Sequence, residues 1–520
     1  MLKGSWNRLA GWLFVVTFFL ALLVPRAFMK GMFLDGVTYA SIARNLSEGV
    51  GTFWMPHYTN GTYPIFVEQP PLAFFLHSWV YRILGGSYLI DSLWSVFLGA
   101  LICVLTVLFW KNLQELSSNF ETRNEHERQP NCESAMPLWL VPSLLLSFPI
   151  IIWTFQNNML ENTMTVFVLA SSVCFVGACS LPPSKRVWAR MVFAGCAGLF
   201  VVFAFLSKGL PALFVYALPP ALFLCFKNLN LKHLISIEAV ALFVFCLSFL
   251  LLFSFPESRA FLEAYFKYQV VKSLAGEREL AGSRLSLVFH LGEALLPSLT
   301  ALCVLSVFQS TRKRILPSTR IQRVGGVALL LALAGSAPLL VSPKQMSWYL
   351  VPSLPFYAMA LASLFSGNAR AFEIWITSRR MVRSIAFPML AVCFVAVIIV
   401  TFVFAGTARR DGDFYSDIES IYDGSDGSDG SERSERSDRP NFVACPSSQV
   451  ADWGLIAMLQ RELKGSIVSN TPSALLKNTA FLVVSDAEAP CPLLSELRCI
   501  SMQKETPKRY SFWRCTDSAM

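Results

Sequence analysis

A chain of 520 residues, 54% of them hydrophobic and only 15% charged, has too little polar surface to be a string of water-soluble domains. Its net charge of +9 speaks for membrane topology rather than nucleic acid, because the basic residues are dispersed over short connections between apolar runs. GxGxxG, P-loop and HExxH motifs are absent, which leaves soluble nucleotide chemistry without support.

Taken in order, apolar runs long enough to cross a bilayer, roughly 18 residues or more, are expected at 9–28, 88–110, 137–154, 160–179, 191–207, 209–226, 234–255, 289–308, 324–341, 348–366 and 384–406, about eleven in all. Backbone amides in lipid must find partners within their own segment, so these runs are helices. The first follows Lys3 and Arg8 and leads to no small-residue cleavage site, which makes it a transmembrane helix with its N-terminus inside. Basic connections then alternate with non-basic ones: residues 3–8, 111–128, 185–190, 227–232, 312–323 and 370–383 are cytoplasmic by the positive-inside rule. The apolar run 71–84 is too short to span and is placed as an interfacial or re-entrant helix. Two long loops, 29–87 and 256–289, consequently fall on the outer face, and loops held by a rigid scaffold are where chemistry is usually housed.

Past residue 408 the composition changes. Residues 409–440 form an acidic, Ser- and Gly-rich stretch, and 423–439 carry no apolar side chain to bury, so a disordered linker is expected. From 441 to 520, short strand-like runs around 481–484 alternate with a helical pattern over 453–463, which suggests a small extracytoplasmic α/β domain. Its four cysteines, Cys445, Cys491, Cys499 and Cys515, allow two disulfides in three connectivities, favoured over free thiols by the compartment. The fold class is thus an α-helical polytopic membrane protein, 1–408, followed by a linker and a small C-terminal domain.

The ionisable residues near the outer ends of the spans are the candidates for chemistry. Asp35 opens an amphipathic stretch in which Tyr39, Ile42, Ala43 and Leu46 share one face; its bland alternative is to stabilise a helix N-terminus. Glu68 sits before Pro70 and Pro71 at the entry to the short apolar helix. Glu161, Lys208 and Lys344 lie at the ends of three further spans, on the face expected to hold Asp35 and Glu68. Groups of this kind in apolar segments tend to be functional, although a lysine at a span end also serves as a snorkelling anchor. His57 and His290 read as hydrogen-bonded loop residues rather than metal ligands. Trp54, Tyr63 and Trp348 are as well suited to an interface belt as to a sugar platform.

The run Asp35-Gly36-Val37-Thr38-Tyr39-Ala40-Ser41-Ile42-Ala43-Arg44, then Glu68-Gln69-Pro70-Pro71-Leu72, resembles the polytopic GT-C family of dolichyl-phosphate-mannose protein mannosyltransferases and lipid A aminoarabinose transferases. Asn158-Met159-Leu160-Glu161, Leu206-Ser207-Lys208-Gly209 and the spacing of Lys344, Tyr349 and Pro352 resemble later segments of that family, so the likeness covers residues 9–366. It implies a GT-C-like fold and transfer of a sugar from a polyprenyl-phosphate donor to a lipid, glycan or protein acceptor. Membrane lipids are the surroundings, and nucleic acid is not a partner. On the same resemblance, Asp35 is the general base, with Glu161 and Glu68 beside it. Tyr39, Arg44, Lys208, Lys344, Tyr349 and Arg278 bind substrate, no cofactor is required, and Glu68 is the candidate ligand should a divalent metal be used. A bacterial inner membrane with the site facing the periplasm is the implied location. The sequence departs from its relatives at Gly36, where an acid is frequent, at Gln69, where a lysine is, and at Glu161, where an aspartate is. Loss of the lysine leaves more of the phosphate contact to Lys208, Lys344, Arg278 or Arg284. A transporter or flippase of lipid-linked sugars is the alternative, weakened by the lack of repeat symmetry and of midplane charges.

Overall fold

A computed structural model describes residues 2–60, 63–121, 137–181, 187–226, 229–276, 283, 285–309, 319–369, 371–372, 380–423, 441–445, 453–469, 481–487, 491, 494, 498–503 and 506–516. The chain forms two compact units. One comprises Met1–Ala27, Glu68–Ala73 and Ser92–Phe404; the other comprises Phe28–Val67, Phe74–Asp91 and Ala405–Met520.

The first unit is helical and multi-pass. Among the described residues, seven helices are long and apolar enough to cross a membrane: Leu9–Ala27 of α1 (Leu2–Ala27), Leu89–Ser118 of α4 (Leu89–Glu121), α7 (Leu160–Ser180), α8 (Val187–Lys208), α10 (Leu231–Ser254), Ser286–Val307 of α12 (Ser286–Gln309), and Thr319–Val341, which continues α13 (Thr319–Ser336). Each coincides with an expected run. Of the other four expected runs, three are interrupted where prolines fall, and the fourth, 384–406, lies within one continuous helix. Residues 137–154 become α5 (Leu140–Leu146) and α6 (Pro149–Phe155), because Pro149 forces Phe148 into an extended conformation. Residues 209–226 become a 3₁₀ helix, Leu210–Ala217, and α9 (Leu218–Cys225). Residues 348–366 reduce to a 3₁₀ turn and α14 (Leu354–Leu364), while α15 (Arg380–Phe404) runs unbroken through Pro388. The second outer loop supplies α11 (Pro256–Tyr265) and a π turn over Phe266–Val271.

The second unit gathers the first outer loop and the tail. It contains α2 (Leu34–Ser47), most of α3 (Leu72–Leu84), α16 (Gly412–Asp423), α17 (Trp453–Leu463) and a five-stranded sheet. The sheet runs β2 (Ser466–Ser469), β1 (Asn441–Ala444), β3 (Phe481–Asp486), β5 (Tyr510–Thr516), β4 (Arg498–Ser501). β1 is parallel to β2 and β3, whereas β5 is antiparallel to β3 and β4, so the small α/β domain is a mixed sheet. Disulfides join Cys445 to Cys491 and Cys499 to Cys515, with Cα atoms 5.8 and 4.1 Å apart. Residues 412–423, within the stretch expected as linker, form α16: Phe414, Tyr415 and Ile418 are buried, and the Asp417 carboxylate accepts the main-chain N–H groups of Lys508, Arg509 and Tyr510 at 2.8–2.9 Å. Most of the low-complexity run, 424–439, lies outside the described residues.

α17 is fixed by charge to Asp91, in the first turn of α4, and by hydrogen bonds to α2. Arg461 donates from Nε and Nη2 to Asp91 at 2.9 and 2.8 Å; Asp91 also accepts from Tyr81 and lies 3.3 Å from His77 Nε2. Arg44 donates to the carbonyls of Gln460 and Arg461. Arg461 is 5% exposed and Asp91 fully buried, and burial together with Asp91 pushes the Tyr81 hydroxyl up against the opposing pull of Arg461. An ammonium cannot reproduce the planar fork of a guanidinium, so Arg461→Lys should cost about 1.5–3 kcal/mol of local stability, read as faster amide exchange in α17.

Candidate active site

α7 and α8 are consecutive antiparallel helices, which brings the first turn of one beside the last turn of the other. Glu161 therefore meets the positive end of α7 and Lys208 the negative end of α8. Lys208 Nζ is 3.1 Å from Glu161 Oε1, with the side chains 9% and 1% exposed. Neither charge would be tolerated there alone.

Directly after Lys208 the backbone turns at Gly209, φ +97°, and a Cβ placed there would lie 1.8 Å from the Tyr265 hydroxyl. Glycine is required twice over, by the left-handed conformation and by the approach of Tyr265. Gly209→Ala should lower thermal stability by about 1–3 kcal/mol and displace Tyr265, measured by melting in detergent.

Tyr265 and Lys208 line a cavity of about 200 Å³ whose other polar walls are Glu68, Gln69, Glu161, Gln269, Ser273, Ser342 and Tyr349. Four residues that the sequence singles out, Glu68, Glu161, Lys208 and Tyr349, are thus gathered at one place in the first unit. Lys344 is not a lining residue; it is half-buried on the same segment, its carbonyl accepting from Ser342 Oγ at 3.2 Å. Arg278 and Arg284 lie outside the described residues. Gln345, which sequence reasoning passed over, is buried and braces this wall: it accepts from Leu287 N at 3.1 Å and donates to the carbonyls of Leu340 and Ser342. Tyr265 and Gln269 were missed too, although their place in the second outer loop was a signal.

Asp35, Tyr39 and Arg44 belong to the second unit. Asp35 is half-buried in the first turn of α2. Tyr39 is buried against Phe74, ring centroids 5.6 Å apart, and Arg44 is buried on the carbonyls of α17. In this structure Tyr39 packs against the first-loop helix α3 and Arg44 tethers α2 to α17. His57 Nδ1 lies 2.8 Å from the carbonyl of Pro64 and braces the loop. Among the described residues, no group of three or more His, Cys, Asp or Glu side chains is arranged to hold a metal ion.

No protein-family model matches the sequence, and comparison with curated proteins returns no match. Solved structures do match. ArnT from Cupriavidus metallidurans bound to undecaprenyl phosphate superposes with a TM-score of 0.63 at 15% identity, over 97% of this chain and 98% of that one. The apo state of that ArnT gives 0.60 at 14% identity, over 98% of each chain. The Archaeoglobus fulgidus oligosaccharyltransferase in its apo form gives 0.54 at 13% identity, over 94% of this chain and 70% of that one.

The chain has the GT-C fold. The likeness to ArnT runs nearly end to end, so it includes the C-terminal region, where the sequence showed no resemblance. A GT-C fold of the ArnT type thus accounts for the multi-pass helical unit and for the small mixed-sheet domain together.

Proposed function

We propose that this protein is a membrane glycosyltransferase that moves a sugar from a polyprenyl-phosphate donor to a hydroxyl or phosphate of a lipid, glycan or protein acceptor. The observation that carries this reading is the cavity of Glu68, Glu161, Lys208, Tyr265 and Tyr349 at the ends of apolar helices. Carboxylates and phenols are the groups that hold sugar hydroxyls, and a lipid-linked donor brings its sugar to where membrane helices end. The structure of ArnT with undecaprenyl phosphate supports the carrier class.

In the reaction, Asp35 takes the proton of the acceptor hydroxyl, the oxygen attacks the anomeric carbon, and the polyprenyl phosphate departs with inversion. Lys208, held at the cavity wall by Glu161, stabilises the departing phosphate with Tyr349 as a hydrogen-bond donor, and Lys344 and Arg278 add positive charge. Those additions matter, because the lining carries two carboxylates against one ammonium. Two carboxylates are also a donor set that a hard divalent cation accepts, and the transfer step needs none. The site faces the periplasm of a bacterial inner membrane.

The test is transfer by the purified full-length protein in proteoliposomes. Labelled polyprenyl-phosphate pentose or hexose is supplied with lipid A, glycan or peptide acceptors. Labelled acceptor is the expected product; movement of intact donor between leaflets with no labelled acceptor would instead identify a flippase.

A further inference from the structure

A second cavity of about 200 Å³ lies within the unit formed by the first loop and the tail. Its apolar floor comes from Leu34 and Val37 of α2 with Leu455 and Met458 of α17, and its rim carries Arg410 and Arg509. Both guanidiniums are about half exposed, at 50% and 44% of the side chain, and both contact Asp411, at 3.5 and 3.3 Å. Each also lies over a ring, Arg410 5.4 Å from the Phe33 centroid and Arg509 5.3 Å from that of Tyr510. The charged lining therefore sums to one excess positive charge above an apolar pocket.

The position along the chain adds to this. Residues 28–30 leave the apolar helix α1, and residues 405–409 leave the apolar helix α15. These two exits are zipped by main-chain hydrogen bonds, Gly406 N to Phe28 O at 2.8 Å, Lys30 N to Thr407 O at 2.9 Å and Arg409 N to Lys30 O at 3.0 Å. Arg410 is six residues past the last apolar residue of α15, a reach of about 20 Å at full extension. An arginine rim over an apolar floor, a few residues along the chain from two apolar helices, has the chemistry of an amphiphile site. Neither feature is used by the transfer mechanism.

We propose that this cavity seats the phosphate-bearing headgroup of an anionic membrane lipid, with Arg410 and Arg509 on the phosphate and the Leu34, Val37 and Met458 side chains against the adjoining apolar part. The inference does not depend on the transfer reading, since binding is measured without donor or acceptor.

The full-length protein is reconstituted in nanodiscs of phosphatidylcholine with one-fifth phosphatidylglycerol, and lipid retained on release is counted by native mass spectrometry. Retention of phosphatidylglycerol should fall about tenfold in the double variant Arg410→Gln, Arg509→Gln and survive in Arg410→Lys, Arg509→Lys, whose positive charge is intact. Equal retention by the wild type and the glutamine variant overturns the proposal. So does equal loss in both double variants, which would trace to the fold of the loop. Inorganic phosphate at millimolar concentration should not displace the lipid; full displacement would make this a site for free phosphate and overturn the lipid assignment.

Discussion

Asn at position 35 should slow sugar transfer by about 10²- to 10⁴-fold, the ordinary worth of a positioned general base. The substitution is isosteric and keeps a hydrogen-bonding side chain in the first turn of α2, where Asp35 is half-buried. If the carboxylate only favoured the helix N-terminus, its loss would cost roughly 0.3–1 kcal/mol of stability and leave turnover nearly unchanged. The two roles therefore separate on two readouts. A base gives a small fall in melting temperature with a large fall in rate; a helix-terminal role gives the small fall alone. Formate should return part of the activity to Asp35→Ala by supplying the missing base, and it should do nothing for a variant whose helix has been weakened. Full transfer by a well-folded Asp35→Asn protein would remove Asp35 from the chemistry.

How much of this was legible in the sequence depends on which physical term carried the signal. Charge in an apolar run is costly, so Glu161 and Lys208 stood out from their neighbours, and helix alternation placed them at the same end; the structure pairs them at 3.1 Å. Proline within apolar runs was visible as a residue, but hydropathy sums over a window and is blind to where the backbone breaks. Hence 137–154 and 209–226 read as continuous spans although Pro149 breaks the first and the second passes from 3₁₀ to α helix at Leu218, beside Pro219. Neutral residues such as Gln345 and Tyr265 leave no mark on either measure; the outer loop marked the neighbourhood of Tyr265, and the folded wall shows the residues themselves. Asp91 did carry a signal, an acid within an apolar helix, but its partner Arg461 is 370 positions away. Pairs that distant are invisible to spacing. α16 was hidden differently: its acidic composition matched a linker, while Phe414, Tyr415 and Ile418 supplied enough apolar surface for one buried face.

Breaking the Glu161–Lys208 pair should cost about 3–5 kcal/mol of stability whichever partner is removed, because the survivor is a buried charge with its counter-ion gone. Glu161→Gln and Lys208→Met should each melt well below the wild type in detergent. The double variant should recover most of that loss, since a neutral amide beside a thioether replaces two charges that had to be desolvated. Activity separates scaffold from chemistry. If the pair only holds α7 to α8, the double variant regains transfer along with stability. If Lys208 meets the departing phosphate, the double variant is stable and inactive, and its affinity for polyprenyl phosphate falls. We expect the second outcome, because the pair lies in the wall of a cavity it shares with Glu68 and Tyr349 rather than in the packed middle of the α7–α8 interface. A charged pair kept in a cavity wall, where an apolar pair would pack at equal or lower free energy, is what a contact of Lys208 with the departing phosphate predicts.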